Sequence, residues 1–200
     1  ADKVFFQNPD DMKLFLDKKL VQAKSVDILP GSGIDLKRFR PSLFKRNNKF
    51  TFLLISRLIS DKGVFEYVEA VRKLKANGLN ANFQVLGAMD PEHKRGIAEK
   101  VIQEWINSGT IEYLGTTDDV RGYIEDADCI VLPSYREGTP RTLLEAASSA
   151  KPIIATDVPG CNHVVRNNFN GLLCKLKDAN DLAEKMLQME LKELKEDTAL

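Results

Sequence analysis

The stretch from Val131 to Ala155, V-L-P-S-Y-R-E-G-T-P-R-T-L-L-E-A-A-S-S-A-K-P-I-I-A, leaves few folds open. The apolar run Cys129-Ile130-Val131-Leu132 predicts a buried strand, and a second run from Lys151 to Thr156 predicts another. Between them lie a polar loop, Ser134 to Thr139, and an Ala/Leu-rich helix that Pro140 can open, since its missing N–H would have no partner there anyway. Strand, helix, strand in this order is the repeating unit of a parallel sheet covered by helices.

The helix start has chemical consequences. It leaves the amides of Arg141, Thr142, Leu143 and Leu144 free, and with the positive end of the helix dipole they make a site for an anion such as a phosphate. Glu137 stands in the loop and Glu145 eight positions on, inside the helix. Carboxylates beside a phosphate-favouring turn suit a ligand that also carries hydroxyls, whose hydrogen bonds they accept. A sugar nucleotide has both groups.

From Phe50 the rhythm is β-α-β-α. Strands are predicted at Thr51–Ser56, Phe83–Gly87, Ile111–Leu114, Cys129–Leu132, Lys151–Thr156 and Gly171–Cys174, with helices at Lys62–Ala76, Pro91–Asn107, Val120–Asp126 and Ala179 to about Lys195. The fold class is α/β, a Rossmann-like doubly wound parallel sheet of about six strands. Upstream, strands at 3–7 and 26–29 flank a helix from Asp10 to Lys18, followed by the turn Pro30 to Asp35 and a basic linker, Lys37 to Asn48. That shift in composition sets a boundary near residues 36–49.

After the first strand of the main sheet comes Ser56-Arg57-Leu58-Ile59-Ser60-Asp61-Lys62-Gly63. Cations at a helix start oppose its dipole, so Arg57 and Lys62 there suggest an anionic ligand that stabilises both, a diphosphate in particular. Taken alone they fit solvated surface cations as well. Lys+Arg and Asp+Glu both number 29, so no net field draws nucleic acid or an acidic membrane. Cys129, Cys161 and Cys174 have no metal-ligand spacing and read as reduced thiols of a cytosolic protein. No apolar run approaches the length of a transmembrane segment, and neither an essential metal nor a cofactor is expected. A dehydrogenase is disfavoured, because Arg57 and Lys62 stand where Gly-x-Gly-x-x-Gly would.

Glu137-Gly138-Thr139-Pro140, Leu143-Leu144-Glu145-Ala146 and Pro152-Ile153-Ile154-Ala155-Thr156, in that order, resemble the signature of the retaining family 4 glycosyltransferases, group 1 type. Arg57-Leu58 and Lys62-Gly63 match the same family's Arg-Leu-x(3)-Lys-Gly motif. The resemblance implies the GT-B architecture, two Rossmann-like domains around a cleft. Residues 1–40 would be the tail of the N-terminal acceptor domain and the interdomain linker, and residues 41–200 the nucleotide-sugar-binding domain, the C-terminal half of the fold.

It further implies that Arg57 and Lys62 hold the donor's diphosphate, that Glu145 accepts from the ribose, and that Glu137 lies near the hexose. Gly138, Thr139, Pro140, Arg141, Thr142 and Leu143 would complete the donor site, with Thr117 at the base, Tyr135 walling the pocket, and Gly31, Ser32 and Gly33 lining the cleft from the first-domain side. A Glu137 that merely caps the helix, a Thr117 in a plain Gly-Thr turn and a packed Tyr135 are the structural alternatives. His163, where many relatives carry Glu, would with Asn162 shape sugar or acceptor choice or be a helix-start histidine without chemistry.

The expected function is transfer of a hexose, with retention, from a nucleoside-diphosphate sugar, first of all a UDP-sugar, to a glycan or polyprenyl-linked acceptor in cell-surface polysaccharide biosynthesis. The acceptor would bind through the other domain, so a fragment would bind the nucleotide and fail to turn over. The expected place is cytoplasmic, at the inner face of the membrane in the full-length protein. The rival readings are a GT-B nucleotide-sugar 2-epimerase and a non-catalytic nucleotide-sugar binding module.

Overall fold

The computed structural model describes residues 2–29, 31, 33–41 and 49–198, with side chains to residue 192. Pro30, Ser32 and linker residues 42–48 lie outside the described residues. The first unit pairs β1 (Val4–Phe6) with β2 (Val26–Ile28) in parallel, with α1 (Pro9–Asp17) between them in sequence. Asn8 caps α1, its side chain accepting from the Asp11 amide.

The main sheet contains β3 (Thr51–Ile55), β4 (Asn82–Leu86), β5 (Glu112–Tyr113), β6 (Cys129–Leu132), β7 (Ile153–Thr156) and β8 (Gly171–Cys174), all parallel, in the order β5-β4-β3-β6-β7-β8. The expected doubly wound sheet is therefore present. Strands β3, β6 and β7 are buried at every position, which is why they read as continuous apolar runs.

Alternate residues of each strand serve opposite faces. Phe52 and Leu54 of β3 pack with α2 (Val64–Ala76), α3 (Glu99–Asn107) and α6 (Ala179–Thr198), where Leu182, Met186 and Met189 form the buried stripe. Leu53 and Ile55 pack on the other face with Ile124 of α4 (Arg121–Asp126) and Leu143 and Ala146 of α5 (Arg141–Ser148).

Two helix starts differ from expectation by more than one residue. Residues 91–98, expected to begin a helix, form turns, and α3 starts only at Glu99. Their backbone is bound to the segment after β3, with the Ser60 amide donating to the Arg95 carbonyl (2.8 Å) and the Ile97 amide to that of Leu58 (3.2 Å). Lys62, expected to open a helix, instead ends a 3-10 turn over Ser60–Lys62, and α2 begins after Gly63, whose φ of +69° places it in the left-handed region.

Candidate functional site

Strand order reverses between β3 and β6: from β3 the chain moves to β4, and from β6 to β7 and β8 on the other side. At such a switch point the loops leaving the carboxyl ends of the two strands diverge and open a crevice. The segments carrying the predicted site residues, 56–63 and 133–145, leave this pair of strands.

Local geometry brings the two segments together. The Tyr135 amide donates to the Asp61 carbonyl (2.8 Å), and the Thr142 hydroxyl to that of Ile55 (3.4 Å). Gly63 lies against β6's exit so closely that a Cβ there would stand 2.0 Å from the Pro133 carbonyl oxygen. Lys62 Nζ consequently reaches Glu137 Oε1 at 2.5 Å, an ion pair whose side chains are 22% and 13% exposed. The Glu137 amide donates to the Pro159 carbonyl (3.2 Å), fixing the loop against the exit of β7 as well.

The other predicted residues lie at the same end of the sheet with different partners. The exposed Arg57 guanidinium approaches Asp90 at 3.5 Å. Glu145 is buried on α5 and meets Arg141 at 3.3 Å. Burial raises its pKa above the usual carboxylate value, opposed by the Arg141 charge. Pro140 occupies the N-cap of α5. Its carbonyl accepts from the amides of Leu143 (3.1 Å) and Leu144 (3.3 Å), so these two amides, expected to be free, are taken by the helix itself. Among the described residues the amides of Arg141 and Thr142 donate to no protein acceptor, as expected of a first turn. The Leu143 side chain is core.

Tyr135 is half-buried, its hydroxyl donating to Glu66 Oε1 (2.8 Å) and its ring lying 4.5 Å under the Lys177 ammonium. Burial and the Glu66 carboxylate hold its phenol well above the usual range. Among the described residues no hydrogen bond joins Thr117 to the Lys62–Glu137 pair. The threonine stands exposed after edge strand β5, its hydroxyl accepting from the Asp119 amide (3.0 Å). Gly31 does face the site loop, since a Cβ there would lie 3.0 Å from that of Thr139, whereas Gly33 has nothing within 4 Å. His163 Nε2 reaches Asp10 at 2.9 Å, and Asn162 donates to Asp157 (2.9 Å).

The contacts that sequence reading missed come from the first unit. Gln7, Asn8 and Asp11 hold residues 136–139 by side-chain and backbone bonds. The Asn8-Pro9 pair signals a helix cap, but nothing in it signals a partner about 130 positions away. Cys161 is buried near the ion pair, and burial, with the Glu137 charge, pushes its thiol up to about 12. Among the described residues no three His, Cys, Asp or Glu side chains gather to hold a metal ion, and no helix is long and apolar enough to cross a membrane.

Among the described residues the site thus offers one ammonium and one carboxylate that satisfy each other, two amides without a protein acceptor, a second cation and a buried carboxylate. That set can take a ligand with an anionic part and hydroxyls, the ammonium exchanging its carboxylate for the anion.

The family model described as "Glycosyl transferases group 1" matches residues 35–199. An N,N'-diacetylbacillosaminyl-diphospho-undecaprenol alpha-1,3-N-acetylgalactosaminyltransferase of Campylobacter jejuni is 32% identical over 198 residues, covering 93% of this chain and 50% of the relative. A UDP-Gal:alpha-D-GlcNAc-diphosphoundecaprenol alpha-1,3-galactosyltransferase of Escherichia coli is 26% identical over 192 residues, covering 90% of this chain and 49% of the relative. In fold, the chain is similar to HepE of Anabaena, crystallised with UDP-glucose, at a TM-score of 0.81 and 18% identity, over 98% of this chain and 55% of that one. The chain spans about half the length of these relatives.

Proposed function

The chain belongs to the group 1 glycosyl transferases, and from that membership we propose that it is the donor-binding half of a transferase moving a hexose from a UDP-sugar to a polyprenyl-linked or glycan acceptor. The observation that carries this reading is the Lys62–Glu137 pair set at the strand-order switch beside the two free amides of α5. The names of the two relatives add support for the substrates, since both specify undecaprenol-diphosphate acceptors and one specifies UDP-Gal.

On this reading the diphosphate takes Lys62, Arg57 and the Arg141 and Thr142 amides, Glu145 accepts from the ribose, and Glu137, released from Lys62, accepts from the hexose. The nucleoside diphosphate departs and the acceptor hydroxyl attacks the same face, giving retention. Stabilisation of the charge on the leaving diphosphate by these cations and amides contributes most of the acceleration on this reading. No metal is required, since those groups carry the neutralisation, and EDTA will leave binding unchanged. Residues 1–40 belong to the acceptor half and its linker, residues 41–200 bind the donor, and the piece alone does not turn over. The whole enzyme works at the cytoplasmic face of the membrane, where its lipid-linked acceptor lies.

Calorimetry with UDP, GDP and ADP tests the core of this reading. UDP is expected to bind the parent chain, and Lys62→Ala and Glu145→Ala are each expected to lose about tenfold or more in affinity, roughly 1.4 kcal/mol. Variants that bind every nucleotide as the parent does would show that the donor site lies elsewhere.

A further inference from the structure

The loop that presents Glu137 is held from two sides. On one side stands the β7 exit, with the Pro159 carbonyl accepting from the Glu137 amide and Gly160 packed against the Glu137 carbonyl. On the other stands the tip of β1, a piece of chain in the separate two-stranded unit. There the residues 136–139 are tied one after another. Arg136 pairs with Asp11, the carbonyls of Glu137 (3.3 Å) and Gly138 (2.9 Å) accept from Asn8 Nδ2, and the Thr139 amide donates to Gln7 Oε1 (3.1 Å). Gly138 leaves room for the Gln7 amide, since a Cβ there would stand 2.0 Å from Gln7 Oε1 and that side chain would have to turn aside.

Asn8 is the centre of the arrangement. It is 1% exposed, and its amide is fully employed: Oδ1 accepts from the Asp11 amide (2.8 Å) while Nδ2 donates to Asp11 Oδ2 (2.8 Å) as well as to the loop carbonyls. A buried amide with every bond made fixes the groups it touches, since moving any of them leaves a buried polar atom unpaired. With its backbone clamped on both sides, Glu137 retains freedom only in its side chain.

We propose that Asn8 is a positioning residue that acts from the first unit through the Glu137 and Gly138 carbonyls to set the Glu137 carboxylate for the donor's hexose. The inference rests on the donor-binding reading above. It adds a dependence between the two parts of the chain, whereby hexose recognition by the second requires the β1 tip of the first to be docked.

The test is calorimetry of the whole chain with UDP and with UDP-glucose, UDP-galactose and UDP-N-acetylgalactosamine. The readout is the hexose increment, the affinity for the best-bound UDP-sugar divided by that for UDP. Asn8→Asp keeps the oxygen that caps α1 but sets a carboxylate oxygen against two carbonyls and the Asp11 carboxylate. It is expected to lower the increment about tenfold while leaving UDP affinity within about twofold, an effect the size of one lost hydrogen-bonded placement. Asn8→Ser, which keeps the cap without adding charge, is expected to do the same. Combined with Glu137→Gln, either change is expected to cost nothing further, because both act on one contact.

Equal losses for UDP and the UDP-sugars, or additivity with Glu137→Gln, would overturn the proposal and leave Asn8 as a docking residue only. A parent that binds UDP with no hexose increment also overturns it. A parent that binds neither UDP nor any UDP-sugar removes the donor reading itself, an outcome distinct from both.

Discussion

Replacing Gly63 by alanine is expected to damage both the fold and the site, and Gly78 supplies the internal control. Both residues have positive φ, +69° and +83°, so alanine at either one meets the left-handed penalty of roughly 1–2 kcal/mol. At Gly78, after the end of α2, an added Cβ has nothing within 4 Å, so that penalty is the whole cost. At Gly63 the Cβ would stand 2.0 Å from the Pro133 carbonyl oxygen and 2.7 Å from its carbon. An ordinary C···O contact is about 3.3 Å or more, so the start of α2 must back away from the exit of β6 by about 1.3 Å. The obstacle is backbone and cannot rotate aside, and overpacking of this kind costs about 1–3 kcal/mol beyond the φ penalty.

Gly63→Ala is therefore expected to cost about 2–5 kcal/mol and Gly78→Ala about 1–2 kcal/mol by urea unfolding, which for a chain of this size is a difference in Tm of several degrees. The same retreat moves Lys62 off Glu137, so Gly63→Ala is expected to weaken UDP binding while Gly78→Ala leaves it unchanged. Equal stability losses for the two variants would refute the close packing at Pro133. A Gly63→Ala protein that is destabilised yet binds UDP normally would refute the link from that packing to Lys62.

Glu145, whose pKa burial raises above the ordinary 4.5, is destabilising when ionised; Glu145→Gln is thus expected to gain stability over the parent as pH rises from about 4.5 through the raised value, and to show no gain at pH 4, in urea unfolding measured across pH. A gain that is largest at low pH would contradict this sign. Tyr135→Phe removes the hydroxyl bound to Glu66, whose other oxygen is already buried without a partner, and is expected to cost about 1–3 kcal/mol, most of it recovered in Tyr135→Phe/Glu66→Leu. Cys129, Cys161 and Cys174 are buried thiols in no disulfide, and burial pushes the last two up to about 12, so a thiol reagent at pH 8 is expected to label none of them in the native chain and all of them in urea.

What could be read from the sequence was what neighbouring residues decide. The boundaries of β6 and β8 are those expected, because an uninterrupted apolar run flanked by polar loops has few alternatives. The start of α3 was misplaced because Pro91 opens a helix as readily as a turn. Hydrogen bonds from Ser60 and Ile97 to the other loop decided the matter, and these have no local signature. Gly63 shows the same limit. Its place in the Lys-Gly motif was evident, but its left-handed φ and contact with Pro133 depend on β3 and β6 being neighbours. Candidate residues could be picked out one by one, while the Lys62–Glu137 pairing could not: the two lie 75 positions apart, and the Asn8 clamp spans 130.

That pairing bears on how the site loop is held. Lys62 lies at the start of α2 and Glu137 within a loop clamped by backbone bonds, so each would be a partly desolvated charge if alone. The lysine would in addition oppose the dipole of α2. Joined at 2.5 Å they neutralise each other, and the loop is held in one place. On the proposed reading the donor then replaces one charge-assisted contact with two: phosphate oxygens on the ammonium, and hexose hydroxyls on the carboxylate. Charge-assisted bonds are about as strong on either side of this exchange, so little energy is lost in breaking the pair. The carboxylate is released to the sugar by the same event that brings the phosphate to the lysine. UDP alone completes only half of the exchange, leaving Glu137 without its cation and without a hydroxyl, which is why the hexose increment, more than nucleotide affinity, is the quantity that reports on this loop.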